Sequence, residues 1–242
     1  MHRNLLFDLD QTLLDFHASE HLALKLVMEE NGLSFSEEHY KFFKNANKNL
    51  WLEFEKGKIT KTELFEARFR QLFRHCRCET SGIDFLKINS DFIDRMAQNG
   101  VPLEGAHDLL KKITDSVPGA RIYVITNGVT RNAMGRINST DLDRYLSGVF
   151  ISEEIGAAKP SADYFKAVKN AVGEPIESFI VIGDSLSSDM LGAKNASLAS
   201  CWFMPEGNIA EAVKRYDIDF TASSFDELYE IISKWSAGVP AM

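Results

Sequence analysis

The chain has 242 residues, and its 27 Lys and Arg against 35 Asp and Glu give a formal net charge of −8 at pH 7. This acidic balance argues against a nucleic-acid polymer as a partner. The most apolar stretches, such as residues 122–125, span four residues whereas a membrane helix needs roughly twenty, so no membrane partner is expected. Three cysteines are too few for a disulfide framework of the secreted kind, and we therefore expect a cytoplasmic protein.

Short apolar runs predict buried strands, and amphipathic patterns between them predict helices. The strands are residues 4–9, 121–126, 149–152, 179–183, 199–204 and, more weakly, 219–222. The helices that alternate with them are residues 106–114, 162–172, 186–196, 209–216 and 225–234. This alternation is typical of a doubly wound α/β fold with a parallel sheet, so the predicted fold class is a Rossmann-like core.

A long insertion separates the first strand from the second. Its helical patterns are residues 18–31, a stretch from Glu37 onward, residues around 50–56 and residues 63–77. Thr60 and Glu63 form a capping-box pattern before the last of these helices. Because the insertion is far longer than a simple crossover, we predict two domains. The α/β core comprises residues 1–15 and 99–242, and an all-helical domain comprises residues 16–98.

Polar residues follow four of the predicted strands. They are Asp8 and Asp10, then Thr126 and Asn127, then Lys159, and finally Asp184, Ser185 and Asp189. Each group has an ordinary structural explanation, such as an Asn-Gly turn, a solvated lysine or a helix N-cap. In an open parallel sheet, however, ligands bind beyond the carboxyl ends of the strands, so we expect these groups to form one site.

As an ordered set, these groups resemble the four motifs of the haloacid-dehalogenase superfamily of phosphohydrolases. The matching residues are Asp8, Asp10 and Thr12 in the first motif, Thr126 in the second, Lys159 in the third, and Gly183, Asp184 and Asp189 in the fourth. The helical insertion after the first motif is similar to the mobile cap of that superfamily. One position departs from the pattern, because Gln11 stands where glycine usually eases a sharp turn.

The resemblance implies an aspartyl-phosphate mechanism. Asp8 would attack phosphorus, and Asp10 would protonate the leaving group and then activate water. The resemblance gives supporting roles to five further residues. Thr126, the Asn127 backbone and Lys159 would bind the transferring oxygens, while Ser185 and Asp189 would orient Lys159 or a metal-bound water.

A metal cofactor follows from the charges at such a site. Each carboxylate facing a phosphate dianion repels it by about 4 kcal/mol per charge pair at about 4 Å, so a cation is required. The ligand set that the resemblance implies consists of Asp8, the Asp10 carbonyl, Asp184 and waters. A set made only of oxygen atoms suits Mg²⁺.

The insertion itself resembles the cap of one branch of the superfamily, the pyrimidine 5′-nucleotidases. The similar segments include residues 49–51 (Asn-Leu-Trp) and residues 68–69 (Arg-Phe). This resemblance implies that the partner is a small phosphorylated metabolite, a nucleoside monophosphate. Its base would stack on an aromatic side chain such as Phe16.

A mutase would use the same first step and is excluded only by the resemblance of the cap. Three further alternatives remain open at this point. The first is a phosphatase of a sugar phosphate or phosphoglycolate. The second is a haloacid dehalogenase, which needs neither a metal nor a second acid, so Asp10 and Asp184 argue against it. The third is a non-catalytic binding protein with the same fold. The sequence is compatible with a monomer and with a homodimer.

Overall fold

The computed structural model describes residues 3–55, 58–204 and 207–238. The chain divides into two compact units. One is formed by the residues up to Phe16 together with those from Gly100 onward, and the other is His17–Asn99. Each boundary lies one residue after the predicted one. None of the helices in the described ranges is both long and apolar enough to cross a bilayer.

The smaller unit, His17–Asn99, is built from four helices in its described part. They are α1 (Phe16–Glu30), whose first residue belongs to the larger unit, α2 (Glu37–Glu55), α3 (Lys61–His75) and α4 (Phe85–Gln98). Thr60 and Glu63 form the predicted capping box at the start of α3. Helix α2 is continuous, although separate patterns from Glu37 and around residue 50 were predicted.

The larger unit contains one parallel sheet. Its strands are β1 (Asn4–Asp8), β2 (Arg121–Thr126), β3 (Gly148–Ile151), β4 (Phe179–Gly183), β5 (Ala199–Phe203) and β6 (Phe220–Ala222). They are ordered β3-β2-β1-β4-β5-β6, and every neighbouring pair is parallel. This topology confirms the predicted doubly wound, Rossmann-like fold.

Helices cover both faces of this sheet. They are α5 (Ala106–Ser116), α6 (Thr130–Ser139), α7 (Ser152–Ile155), α8 (Ala162–Val172), α9 (Leu191–Ala196), α10 (Ile209–Tyr216) and α11 (Phe225–Ser236). Alternate residues of β1 enter two different cores: Leu5 and Phe7 lie in one, and Leu6 lies in the other. Burial on both faces explains why the strands read as continuous apolar runs.

Two elements differ from the sequence prediction for identifiable reasons. The predicted helix 186–196 is a π-helical turn, Leu186–Met190, followed by α9. Helix α6 was not predicted, because its buried face carries the polar residues Asn132 and Arg136 beside Ala133 and Ile137. These polar residues obscure the apolar repeat that marks a helix.

The strand order places β1 at the centre, with β2 on one side and β4 on the other. The connection after β1 runs to β2 on one side, and the connection after β4 runs to β5 on the other. This divergence opens a crevice beyond the carboxyl ends of the central strands. The residues that follow β1, β2 and β4 lie at this crevice.

Candidate active site

Asp8 and Lys159 form the centre of the site. Asp8 ends β1 and is 8% exposed, and Lys159 is 4% exposed in the loop between α7 and α8. Lys159 Nζ donates to Asp8 Oδ1 at 2.6 Å, to Asp189 Oδ1 at 2.7 Å and to the Ile125 carbonyl at 3.0 Å. Burial opposes the charged form of Lys159, but the two carboxylates outweigh it and raise its pKa, so the ammonium group stays charged.

Asn127 fixes the backbone of Lys159 from the end of β2. Its Nδ2 donates to the Lys159 carbonyl at 2.8 Å, and its Oδ1 accepts from the Lys159 N–H at 2.9 Å. Thr126 is 2% exposed, and its Oγ1 accepts from the Gly128 N–H at 3.0 Å. The Thr126 hydroxyl hydrogen therefore remains available for another acceptor. The part that the Asn127 side chain plays was not predicted from the sequence.

The loop after β4 brings Asp184 and Asp189 to the same place. Gly183 lies against the Asp189 carboxylate so closely that a Cβ at this position would come within 2.3 Å of Asp189 Oδ2. Asp189 Oδ2 also accepts from the Ser185 N–H at 3.1 Å. Asp189 is thus held on one oxygen by the loop and on the other by Lys159.

Ser185 belongs to the same loop, and its role in orienting Lys159 or a metal-bound water stays a prediction. Its hydroxyl oxygen accepts from the Ser188 N–H at 3.3 Å, so it caps the following turn rather than contacting Lys159. Its influence on Lys159 passes through the backbone N–H that it donates to Asp189. The capping preference of serine at the start of a helical turn explains this placement.

The carboxylates of Asp8, Asp184 and Asp189 each offer an oxygen, and these oxygens lie within 4.8 Å of one another. Such a set suits a hard divalent cation such as Mg²⁺. Both Asp189 oxygens already accept hydrogen bonds, so Asp8 and Asp184 are the better placed of the three for a metal ion.

The electrostatics of these carboxyl groups also favour a bound cation. Burial raises the pKa of Asp8 well above its ordinary value, with Lys159 opposing the shift and Asp189 adding to it. Burial and the Asp189 charge raise the pKa of Asp184 to about 7. Three carboxyl groups face one ammonium group, so full ionisation would leave the site with a net negative charge. A bound cation would favour the ionised forms of Asp8 and Asp184.

Asp10 lies two residues beyond the strand, and its carboxylate turns towards helix α6. Arg136 Nη1 donates to Asp10 Oδ1. Only 1% of the Arg136 side chain is exposed, against 31% of the Asp10 side chain. The guanidinium carbon also lies 5.5 Å from the centroid of the Phe16 ring. Phe16 therefore packs on Arg136, and its stacking on the base of a substrate stays a prediction.

The turn between Asp10 and Phe16 accommodates Gln11 in the left-handed region, with φ 60°. This conformation is the one that glycine adopts without strain. The Gln11 side chain compensates, because its Oε1 accepts from the Phe16 N–H at 3.2 Å at the start of α1. The departure from the resembling motif therefore leaves the turn in place.

Two residues at the site were missed in the sequence. Arg136 lies on a helix that was not predicted, although an arginine three residues after Ala133 and next to Ile137 is a basic residue on an apolar face. Trp202 on β5 donates from Nε1 to the Asp184 carbonyl at 2.9 Å and so fixes that loop. No signal in the sequence distinguishes this tryptophan from an ordinary core residue.

Several known proteins are similar to this chain over most of its length. A family profile described as a haloacid dehalogenase-like hydrolase matches residues 2–197. Pyrimidine 5′-nucleotidase PynA of Streptococcus pneumoniae is 36% identical over 233 residues, covering 95% of this chain and 94% of the relative. Pyrimidine 5′-nucleotidase YjjG of Escherichia coli is 33% identical over 237 residues, covering 95% and 97%.

A solved structure is similar over nearly the full length. The HAD-hydrolase YfnB of Bacillus subtilis, crystallised with bound magnesium, superposes with a TM-score of 0.84 at 30% identity. The alignment covers 96% of this chain and 98% of that one. The fold is therefore shared with a protein of known three-dimensional structure.

Proposed function

The chain belongs to the family of haloacid dehalogenase-like hydrolases. We propose that it is a Mg²⁺-dependent phosphomonoesterase that acts on nucleoside 5′-monophosphates and prefers those with a pyrimidine base. One observation carries the proposal. The Asp8 carboxylate stands at the end of the central strand, 2.6 Å from a charged lysine and beside a second carboxylate suited to a metal ion.

In the first half of the reaction, an Asp8 oxygen attacks phosphorus and the bond from phosphorus to the ester oxygen breaks. The leaving oxygen takes a proton from Asp10, so the nucleoside departs as a neutral alcohol. Lys159 stabilises the charge on the equatorial oxygens, together with the Thr126 hydroxyl and the Asn127 N–H.

In the second half, a water molecule attacks the phosphorus of the aspartyl phosphate and gives its proton to Asp10. The bond between phosphorus and the Asp8 oxygen breaks, which restores the carboxylate and releases inorganic phosphate. Asp10 ends the cycle protonated, as it began. The separate proton and phosphate roles explain why the reaction needs two carboxylates.

Asp8, Asp184 and the Asp10 carbonyl are the groups that would hold Mg²⁺. When bound, the ion supplies positive charge that lets a phosphate dianion approach these carboxylates. Asp189 contributes by orienting Lys159, whose Nζ it accepts at 2.7 Å.

The substrate class rests on the relatives, since both nucleotidases align over at least 94% of their own length. The site residues described above address the phosphate and cannot select a leaving group. Discrimination between bases is therefore assigned to the helical unit, as a cap domain, and to Phe16, whose stacking on a base would contribute roughly 1–3 kcal/mol.

The test is a phosphate-release screen with UMP, dUMP, dTMP, a sugar phosphate and phosphoglycolate, with Mg²⁺ and with excess EDTA. We expect the pyrimidine nucleotides to exceed the other substrates in kcat/KM by about one to two decades, since about 1.4 kcal/mol is a factor of ten. EDTA should abolish turnover and added Mg²⁺ should restore it. Halide release from a 2-haloacid is measured alongside and should be absent.

The outcomes separate the alternatives. A sugar phosphate or phosphoglycolate hydrolysed faster than every nucleotide would replace the substrate class and leave the chemistry standing. Halide release that persists in EDTA would identify a dehalogenase. A protein that binds nucleotides without turnover would be a binding protein.

A further inference from the structure

Arg136 is a buried cation outside the predicted motifs. It belongs to α6, only 1% of its side chain is exposed, and the carboxylate it contacts is that of Asp10. Burying a guanidinium group is costly unless it is paired. Among the described residues, none accepts a hydrogen bond from its buried Nε atom. A core built for stability alone would favour an apolar residue here.

The position of Arg136 explains what the charge does. Asp10 follows β1 in a turn, and its side chain is 31% exposed, so its own surroundings restrict its rotation little. Arg136 approaches from a different element and is itself restricted by burial and by the Phe16 ring at 5.5 Å. A rigid donor therefore fixes an otherwise mobile carboxylate.

We propose that Arg136 is a positioning residue for Asp10. It holds the Asp10 side chain by Oδ1, in the orientation from which the other carboxyl oxygen protonates the leaving oxygen and later accepts the proton of water. The inference rests on the proposed function, which makes Asp10 the acid and base. Burial keeps the guanidinium group away from solvent, so Arg136 acts through Asp10 and does not bind the substrate phosphate.

The test is a double-mutant cycle on Asp10→Asn and Arg136→Gln, with UMP as substrate and saturating Mg²⁺. Misplacing a catalytic group by about 1 Å can cost about 100-fold, so Arg136→Gln should lower kcat by about 10- to 100-fold. KM should change less than about threefold, because the variant keeps the contacts that bind substrate and transition state equally well. The double variant should be no slower than Asp10→Asn alone, since Arg136 then has no carboxylate left to position.

A second readout depends on the leaving group. p-Nitrophenolate is a stable anion and leaves without a proton, so its first-turnover release should be close to wild type in both single variants. First-turnover release of uridine from UMP should be slowed in both. General damage to the site would slow the two substrates equally, and that result would overturn the proposal.

Arg121→Gln is the matched control. Arg121 belongs to the same unit and also pairs with a carboxylate, that of Glu174, but both side chains are over a third exposed and lie at the other end of β2. Its kcat should equal that of wild type. Arg136→Lys, which keeps a charged donor, should recover part of the loss, and if Arg136→Gln does not fold, the cycle is run with this variant under the same criterion.

The failures are distinguishable. Additive losses in the cycle, or a raised KM with unchanged kcat, would overturn the positioning role while the phosphatase activity of wild type upholds the proposed function. Full activity of Asp10→Asn would remove Asp10 as acid and base, and the inference about Arg136 would fall with it.

Discussion

Both units bury charged side chains, but they do so differently. The larger unit has the strand-end cluster, defined as Asp8, Lys159, Asp184 and Asp189, in which three carboxylates face one ammonium group. The helical unit has the bundle cluster, defined as Glu20, Asn47, Arg68 and Asn89, in which one carboxylate is balanced by one guanidinium group.

Within the bundle cluster, the asparagine side-chain amides form hydrogen bonds to the charged groups. Asn47 Nδ2 donates to Glu20 Oε1 at 3.0 Å, while Asn47 Oδ1 accepts from Arg68 Nη1 at 3.3 Å. Asn89 Oδ1 accepts from Arg68 Nε at 2.8 Å. Four aromatic rings surround the guanidinium carbon at 4.8 to 5.9 Å, those of Phe43, Phe65, Phe69 and Phe92.

The two clusters differ in whether their charges are balanced by neighbouring side chains. In the bundle cluster the charges and hydrogen bonds are matched by neighbouring side chains, so the cluster requires no ligand. The strand-end cluster has an excess of negative charge, and burial raises the pKa of Asp8 and of Asp184. No side chain in the described part of the chain besides Lys159 is a cationic partner in this cluster, so a bound cation would be needed to balance it, as the proposed metal site requires.

The largest effect is expected from Asp8→Asn in the strand-end cluster. An amide is a poor nucleophile, so kcat should fall by at least about 10³-fold, while circular dichroism and thermal unfolding should report an intact fold. Asp115→Asn, an exposed residue of α5 that pairs with Lys111, is the control and should keep wild-type kcat. Phosphate release from Asp8→Asn within tenfold of wild type, about 1.4 kcal/mol, would refute the nucleophile assignment.

The bundle cluster should respond in stability instead. Arg68→Met leaves the Glu20 charge buried without its partner, so the free energy of unfolding should fall by about 3–5 kcal/mol. Urea denaturation measures it. Arg70→Met on the same helix removes a half-exposed pair with Glu66 and should cost about 1 kcal/mol or less. Equal losses in the two variants would mean that the bundle cluster is no more important than a surface pair.

A smaller effect concerns pH. Burial raises the pKa of Glu20 against the opposing charge of Arg68, so the folded state binds this proton more tightly than the unfolded state. The contribution of Glu20 to stability is therefore fully present below its unfolded pKa and is lost as pH rises through its folded pKa.

Glu20→Gln removes this titration. The unfolding free energy of wild type relative to Glu20→Gln should therefore be lower at about pH 8 than at about pH 4, as urea denaturation at both values would measure. Glu29→Gln, an exposed residue of the same helix, should give the same difference from wild type at both pH values. A Glu20→Gln difference that is independent of pH would show that this carboxyl group has the same pKa in both states.

The sequence predicted those parts of the molecule that depend on chain order. Asp8 and Asp184 follow neighbouring parallel strands, and parallel strands end at one edge, so their meeting follows from topology. Two other features depend instead on side-chain rotamers and loop paths. They are the pair of hydrogen bonds between Asn127 and the Lys159 backbone and the orientation of Asp10 towards Arg136. No periodicity or spacing in the sequence encodes these.

Gln11 is the position at which this chain departs from the superfamily motif that it resembles, because that motif has glycine there. Its φ of 60° costs about 1–3 kcal/mol, which Gln11→Gly would relieve. The variant would lose the hydrogen bond from the Phe16 N–H at 3.2 Å, worth about 0.5–1.5 kcal/mol. It would also gain freedom in the unfolded chain that costs about 0.4–1 kcal/mol.

These contributions nearly cancel, so Gln11→Gly should change the free energy of unfolding by less than about 1 kcal/mol. Gln11→Ala loses the side-chain hydrogen bond and keeps the left-handed strain, so it should be the less stable of the two in urea denaturation. If Gln11→Ala were as stable as wild type, the Phe16 hydrogen bond would contribute nothing, and the departure from glycine would have no compensation in the structure. The expected order, with alanine below both glycine and glutamine, would mean that the glutamine amide replaces by a side-chain contact what glycine supplies by its backbone.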